Sequence, residues 1–190
     1  MTRQLSNDIF DFLNLYTTKE FLAAANKFVD LIENKTIKKE QFLKQAHSSL
    51  IDLYAAGHKL QEIELKYSSA ESDFDRDKIF DSNNVELISE LGEEAFYWEI
   101  FDPTYSEQNG EPKIGWTITD REASQGWLVD DFGDIYRDIK IELEKINCTG
   151  TNEAVEDALW QLKFGFRNHW GGHAINAMRY LHYYWYNNKL

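Results

Sequence analysis

The chain has 190 residues, a formal net charge of -13, 15% aromatic residues and one cysteine. A chain of this length can bury about 70% of the surface that its unfolded form exposes, so we expect a single domain over residues 1–190. Cys148 has no cysteine to pair with, the N-terminus lacks the basic-then-apolar pattern of a signal peptide, and no run of about 18 apolar residues is present. These features predict a cytoplasmic protein that does not insert into a membrane.

The negative charge is concentrated in the middle of the chain. Residues 61–160 hold 8 Lys and Arg against 26 Asp and Glu, a balance of -18, whereas residues 161–190 hold 4 basic residues and no acidic one. A phosphate-binding surface needs the opposite sign, so nucleic acid is not an expected partner. An acidic surface suits a basic protein partner, and the alternative is that the charge serves solubility alone.

Apolar residues recur at helical spacing through most of the chain, and two prolines and ten glycines give little interruption. The i, i+3, i+4 pattern predicts amphipathic helices. In chain order they cover residues 8–16, 18–33, 38–58, 82–91, 120 or 128 to 147, and 153–184, the last with a kink at Gly171-Gly172. Because each apolar stripe must pack against another, we expect an all-α, irregular bundle of about six amphipathic helices.

Three stretches do not follow the helical pattern. Residues 61–81 are polar and predict a surface connection. The aromatic residues of 96–103 have no clean period, so both helix and extended chain stay open there. Residues 103–118 contain Asn109-Gly110 and Pro112, which predict an irregular loop or a hairpin.

The C-terminal third contains the densest group of polar and aromatic residues. Asp131, Asp134 and Asp138 are spaced i, i+3, i+7 and therefore share one face of their predicted helix. His169 and His173 are one turn apart, at steps of the last helix that we expect to face the core. A short turn joins the two helices, so we expect antiparallel neighbours that bring the aspartates and the imidazoles together.

Two interpretations of this cluster stay open. A metal ion could bind to His169, His173, Asp134 and Asp138, because a histidine pair and carboxylates from a neighbouring helix suit bidentate and mixed coordination. The interpretation that the sequence favours is a buried polar network in which aspartates accept from the imidazoles, a Trp N–H, Tyr136 and Arg137. No nucleophile elbow or glycine-rich phosphate loop is present, so we assign no catalytic residue and no cofactor.

Several short blocks of the chain resemble a bacterial family known only as domain of unknown function five-zero-six-three. The blocks are Leu53-Tyr54-Ala55-Ala56, Tyr97 to Pro103, Asp130 to Lys140, Phe164 to Ala174 and Arg179 to His182. The likeness covers roughly residues 21–182. The resemblance implies a compact helical protein of the cytoplasm, and it implies no catalytic residues.

The leading functional hypothesis is a non-enzymatic protein that binds a basic partner, in one version an immunity-type protein that neutralises a bacterial toxin. It rests on the acidic balance of residues 61–160, which would steer a basic partner. The candidate contact regions are residues 71–81, 93–111 and the loop before Asp130. The candidate contact residues are Asp73, Asp75, Asp77, Glu93, Glu94, Glu107 and Glu111. The alternatives are a metal-dependent enzyme with a His/Asp site between the last two long helices, and a small-ligand sensor that uses the aromatic residues.

Overall fold

A computed structural model of the protein describes residues 5–67, 91–99 and 123–188. Within these ranges the chain forms six α-helices, a short 3-10 helix at Gly92–Ala95 and two strands, which confirms the predicted all-α bundle. The helices are α1 (Asn7–Asn14), α2 (Tyr16–Ile32), α3 (Lys39–Lys59), α4 (Leu128–Cys148), α5 (Asn152–Asn168) and α6 (Trp170–Asn188). The strands are β1 (Phe96–Glu99) and β2 (Ser124–Trp127). The predictions for residues 82–90 and 103–118 lie outside the described part of the chain.

Large aromatic side chains fill the centre of the bundle. Phe132 of α4 packs edge-on against Phe42 of α3, with ring centroids 5.5 Å apart, and also contacts Phe28 of α2. Trp170 at the start of α6 is fully buried and lies against Phe21 of α2. Because four helices contribute rings to this core, the position of α4 and α6 relative to each other is fixed by close packing.

The two strands pair as an antiparallel hairpin beside the start of α4. Tyr97 stands opposite Gly126, and Glu99 opposite Ser124. Along β1, Tyr97 and Glu99 are half-buried whereas Phe96 and Trp98 are exposed. This alternation is the period of a strand with one covered face, so the open choice for residues 96–99 is settled as extended chain. The predicted loop before Asp130 is in fact strand β2 followed directly by α4.

The predicted single helix over residues 153–184 is wrong. The chain ends α5 at Asn168 and begins α6 at Trp170, and the residue between them, His169, leaves helical geometry with φ -146° and ψ -89°. A Cβ atom on Gly171 would lie 2.0 Å from the carbonyl oxygen of Phe166, so only glycine permits the close approach of the two helix ends. The expected kink is therefore a complete break that lies before the two glycines.

A buried ion pair fixes the antiparallel packing of α4 on α5. The Nζ atom of Lys145 has no exposed surface and lies 2.7 Å from carboxylate oxygens of both Glu142 and Asp157. Such a pair specifies the register of two helices more than it adds net stability.

Of the helices that the structure describes, none combines the length and the apolar character needed to cross a bilayer.

Candidate metal centre

The site is built where the first half of α4 runs antiparallel to α5 and the start of α6. Lys145 meets Asp157, Asp138 meets His169, and further along Asp131 meets His173. The predicted spacing of the aspartates on one face of α4 thus places each of them beside the histidines. Asp130 and Asp131 lie in the first turn of α4, where the helix dipole stabilises negative charge.

Each imidazole is held by a carboxylate at its Nδ1 atom. The Nδ1 atom of His169 lies 2.7 Å from Oδ2 of Asp138, and the Nδ1 atom of His173 lies 2.9 Å from Oδ1 of Asp131. Since an ionised carboxylate only accepts, both Nδ1 atoms carry the proton and donate it. The Nε2 atoms are thereby left with their lone pairs available when the rings are neutral.

Both Nε2 atoms approach the same oxygen. Oδ2 of Asp134 lies 3.5 Å from Nε2 of His173 and 4.0 Å from Nε2 of His169, so neither separation is a normal hydrogen bond. The other oxygen of Asp134 accepts from Arg137 at 2.8 Å. Asp134, His169 and His173 each offer a ligand atom, and these three atoms lie within 4.8 Å of one another.

This arrangement matches how proteins hold divalent transition metals. A zinc ion lies about 2.0–2.2 Å from each donor, so binding one here would draw the three donors closer together than they now stand. Metal-binding histidines usually donate their other ring N–H to a carboxylate, which fixes the ring and raises its basicity. In such a site Asp131 and Asp138 would take the supporting positions, and Asp134 would take the ligand position.

A tyrosine from the hairpin completes the support of His173. The hydroxyl of Tyr97 donates to Oδ2 of Asp131 at 2.5 Å. Burial raises the pKa of the Asp131 carboxyl, and the hydrogen bonds from His173 and Tyr97 act in the opposite direction. The hydrogen bond to Asp131 raises the pKa of His173, although partial burial opposes it. Burial and the Asp131 contact raise the pKa of Tyr97, so its hydroxyl stays a proton donor.

Two glycines allow this packing. A Cβ atom on Gly126 would lie 2.5 Å from the Tyr97 ring, so glycine leaves the room that the ring needs beside β2 to reach Asp131. A Cβ atom on Gly165 would lie 2.8 Å from Trp170, whose indole Nε1 donates to the carbonyl of Leu162 at 3.1 Å. The buried indole therefore fixes the backbone of the α5–α6 junction, from which both histidines project.

The histidines open onto a cleft of about 550 Å³ between the hairpin, α4 and the α5–α6 junction. Asp130 and Trp127 line one side, while Arg167 and Asn176 line the other. Asn176 donates to Glu99 at 2.6 Å, and Arg167 is ion-paired with Glu62. The charged residues of the cleft lining are three carboxylates, Glu99, Asp130 and Asp131, and one arginine, Arg167, besides the two histidines.

The structure brings the four residues of the predicted metal site into one cluster. The ligand atoms of Asp134, His169 and His173 lie close together. Asp138 contacts the Nδ1 atom of His169, on the side of the ring away from Asp134. The expectation that both histidines face the core is wrong for His169, whose side chain is 49% exposed, and His173 is 23% exposed. The histidines line an open cleft because the break after Asn168 turns them away from the apolar stripe.

The predicted polar network is realised only in part. The imidazoles and Arg137 do contact aspartates. Tyr136 instead donates to Glu33 at 2.6 Å, and Trp170 donates to a backbone carbonyl.

Sequence reasoning missed Tyr97, Glu99 and Asn176 as site residues. The available sequence signal was that Tyr97 and Glu99 are two residues apart and so share one face of a strand. That signal is visible only once residues 96–99 are assigned as extended chain.

The predicted partner-binding residues cannot be placed in the same way. Asp73, Asp75, Asp77, Glu107 and Glu111 lie outside the described residues. Glu93 and Glu94 belong to the 3-10 helix before β1, and their side chains also lie outside the described part.

Comparison with known proteins assigns this chain to a protein family. Residues 15–187 match the family described as Domain of unknown function (DUF5063), and the chain is a member of that family. The structure is similar to the crystal structure of protein BF1032 from Bacteroides fragilis, with a TM-score of 0.68 and 23% identity over 90% of this chain and 93% of that one. At this identity the likeness concerns the fold alone. None of the curated proteins matches the chain.

Proposed function

We propose that this protein binds a divalent transition-metal ion through Asp134, His169 and His173 and is a metal-dependent enzyme that acts on a polar small molecule in the adjoining cleft. The observation that supports the proposal is the orientation of the two imidazoles. Each Nδ1 is held by its own carboxylate, while both Nε2 atoms point to one oxygen of Asp134 at distances too long for hydrogen bonds.

A purely structural polar network accounts less well for this geometry. A network stabilises buried polar groups by pairing them. Here the paired atoms are the Nδ1 atoms, whereas within the described residues neither Nε2 atom has a hydrogen-bond partner. Three donors left at metal-binding separations, on rings whose far sides are fixed, favour coordination over simple pairing.

Three protein ligands leave coordination positions open toward the cleft. Sites of this kind are typical of catalytic metals, which lower the pKa of a bound water or polarise a substrate oxygen. In our proposal Asp131 and Asp138 would orient the ligands, the exposed Asp130 would serve as the general base, and Asn176 and Arg167 would hold polar groups of the substrate. Two imidazoles and one carboxylate suit zinc, iron and cobalt better than calcium or magnesium.

Metal binding is tested on protein purified without a histidine tag and stripped with chelator. We expect calorimetric titration with Zn²⁺ and Co²⁺ to give one site per chain. Asp134→Asn and His173→Gln should abolish that site, and Asp138→Asn should weaken it about 10–100-fold by releasing His169. His182→Gln is the matched control, because His182 is an exposed histidine of the same helix. A titration without heat, or one that Asp134→Asn leaves unchanged, would refute the proposal.

The enzymatic part needs its own test. Zn²⁺-, Co²⁺- and Fe²⁺-loaded protein is assayed against chromogenic phosphoesters, carboxylic esters and amides, with Asp134→Asn protein as the blank. Turnover that requires the ion and is lost in Asp130→Asn would support the assigned base. Tight metal binding with no turnover on any substrate would favour a metal-binding protein without this chemistry.

The second candidate function is that of a non-enzymatic acidic protein that binds a basic partner. One version of it is an immunity-type protein that neutralises a bacterial toxin. The balance of -18 over residues 61–160 supports it. Capture of the product of the neighbouring gene, with binding that weakens as salt rises, is the expected result. Binding without salt dependence would count against an electrostatic interface. For either function we propose the cytoplasm as the compartment, since an exposed, unpaired Cys148 suits a reducing environment.

A further inference from the structure

A second pocket lies on the opposite side of Tyr97 from the histidine cleft. It encloses about 310 Å³ between β1 and the C-terminal half of α6. This volume is at the lower end of the range for small-molecule sites. The pocket shares only Tyr97 with the histidine cleft, so it is a separate place for a ligand.

The walls of this pocket are aromatic. Four tyrosines and Trp98 line it. Tyr180 and Tyr184 are stacked with ring centroids 6.1 Å apart and planes 20° from parallel, and Tyr97 leans against Tyr180 at 5.8 Å. Trp98 is 71% exposed and Tyr183 is 55% exposed, so two large ring faces stand in solvent at the mouth. Flat aromatic walls favour a planar ring that stacks between them.

The charge of the pocket comes from Arg179. Arg179 lines the cavity, and α6 contains no Asp or Glu that could neutralise its charge. Among the described residues, Arg179 makes no ion pair and no hydrogen bond, although the chain as a whole carries a net charge of -13. Arginine binds carboxylates and phosphates through two parallel hydrogen bonds, and here it is free to do so.

From these observations we infer that the pocket between β1 and α6 binds a planar aromatic ring that bears an anionic group, such as an aryl carboxylate. The ring stacks on the tyrosine and tryptophan faces, and the anionic group pairs with Arg179. An aromatic cage for a cation is the competing arrangement, and the guanidinium inside the pocket repels such a ligand. This inference does not rest on the metal proposal, because none of the three proposed metal ligands lines the pocket and Tyr97 is the one lining residue that the two sites share.

Binding is measured by titration calorimetry with three naphthalenes that differ only in charge. They are 2-naphthoate, the neutral 2-naphthylmethanol and the cationic 2-(aminomethyl)naphthalene. We expect 2-naphthoate to bind about tenfold tighter than either of the others, as one charge-assisted contact would give. Arg179→Gln should remove that preference, whereas Trp98→Ala should weaken all three ligands.

Lys35→Gln is the matched control for the loss of one positive charge, because Lys35 is exposed and lines neither the histidine cleft nor this pocket. It should leave 2-naphthoate binding unchanged, and EDTA should have no effect either. Equal affinity for the three probes, tightest binding of the cation, absence of binding at millimolar 2-naphthoate, or a preference that survives Arg179→Gln would each overturn the inference. Since Arg179 is exposed, its replacement should leave the circular dichroism spectrum and the melting temperature unaltered.

Discussion

His173 joins the candidate metal centre to the buried Asp131 and so couples protonation to the packing of α4 against α6. Its Nδ1 donates to Asp131, and its Nε2 faces Asp134. The hydrogen bond to Asp131 favours the imidazolium and raises the pKa of His173 above 6.5. In the absence of metal, proton uptake at Nε2 turns the ring into an imidazolium, and its existing Nδ1–H bond to the Asp131 carboxylate becomes an ion pair.

The raised pKa of His173 predicts the direction in which metal-free protein responds to pH. A group with a raised folded-state pKa contributes stability that is fully present below its unfolded pKa, near 6.5, and is lost as pH rises through the folded pKa. In urea unfolding with EDTA present, the free energy of unfolding of wild type should exceed that of His173→Gln at low pH. This difference should shrink as pH rises from about 5.5 to about 9. The exposed His182→Gln should keep the wild-type profile. Parallel pH profiles for wild type and His173→Gln would contradict this account.

At the scale of elements, the junction of α5 and α6 depends on one of two adjacent glycines. A Cβ on Gly171 would overlap the Phe166 carbonyl oxygen at 2.0 Å, whereas one on Gly172 meets nothing within 4 Å. Gly171→Ala should cost about 1–3 kcal/mol and displace His169 and His173, because a backbone atom cannot move aside cheaply. Gly172→Ala should be neutral or stabilising by up to about 1 kcal/mol, since alanine favours helix.

Chemical unfolding and Zn²⁺ titration of the Gly171 and Gly172 variants check both effects. The combination expected for Gly171→Ala is a lower free energy of unfolding together with weaker metal binding. If both alanine variants behaved alike, the close approach at Phe166 would not be what shapes the junction.

The docking of the hairpin on α4 gives a second test at this scale. Gly126→Ala places a methyl group 2.5 Å from the Tyr97 ring and should separate the Tyr97 hydroxyl from Asp131. We expect a loss of about 1–3 kcal/mol in the free energy of unfolding. Gly133→Ala, where a Cβ meets nothing within 4 Å, should be neutral or slightly stabilising. A Gly126→Ala protein as stable as wild type would show that the position of Tyr97 does not depend on a missing Cβ at residue 126.

The sequence was enough to predict that the main helices form, but it did not predict the break between α5 and α6. The apolar period of α2, α3 and α4 is strong, and the predicted ends of α2 and α3 and the C-terminal end of α4 lie within one or two residues of the observed ones. The start of α4 stayed open between residues 120 and 128, and the structure places it at Leu128. The period from Val155 to Ala177 continues across His169, so the pattern cannot reveal a break that depends on Trp170 and on a single carbonyl contact. Likewise, the facing of Asp131, Asp134 and Asp138 follows from spacing, whereas the contact with Tyr97 requires a long-range strand pairing that local patterns do not encode.

At the scale of the molecule, the candidate metal centre lies where three parts of the chain that are distant in sequence meet. Asp131 and Asp134 come from α4, the histidines from the α5–α6 junction, and Tyr97 from the hairpin. The charged cluster stands at the edge of the aromatic core that Phe132 and Trp170 help to form. Because no single element supplies all ligands, an ion bound there would oppose separation of these parts during unfolding.

Metal ions should therefore raise the stability of the whole protein. An ion that binds only the folded state adds about 2.7 kcal/mol at a concentration 100 times its Kd. For a chain of 190 residues this corresponds to a rise in Tm of about 5–10 °C. Calorimetric melting with and without Zn²⁺ measures the rise, EDTA should reverse it, and Asp134→Asn should not show it. Mg²⁺ at equal concentration should have little effect, because it prefers oxygen ligands to imidazole. Unchanged melting in chelator and in Zn²⁺ would mean that the converging Nε2 atoms hold no ion, and the cluster would then serve packing alone.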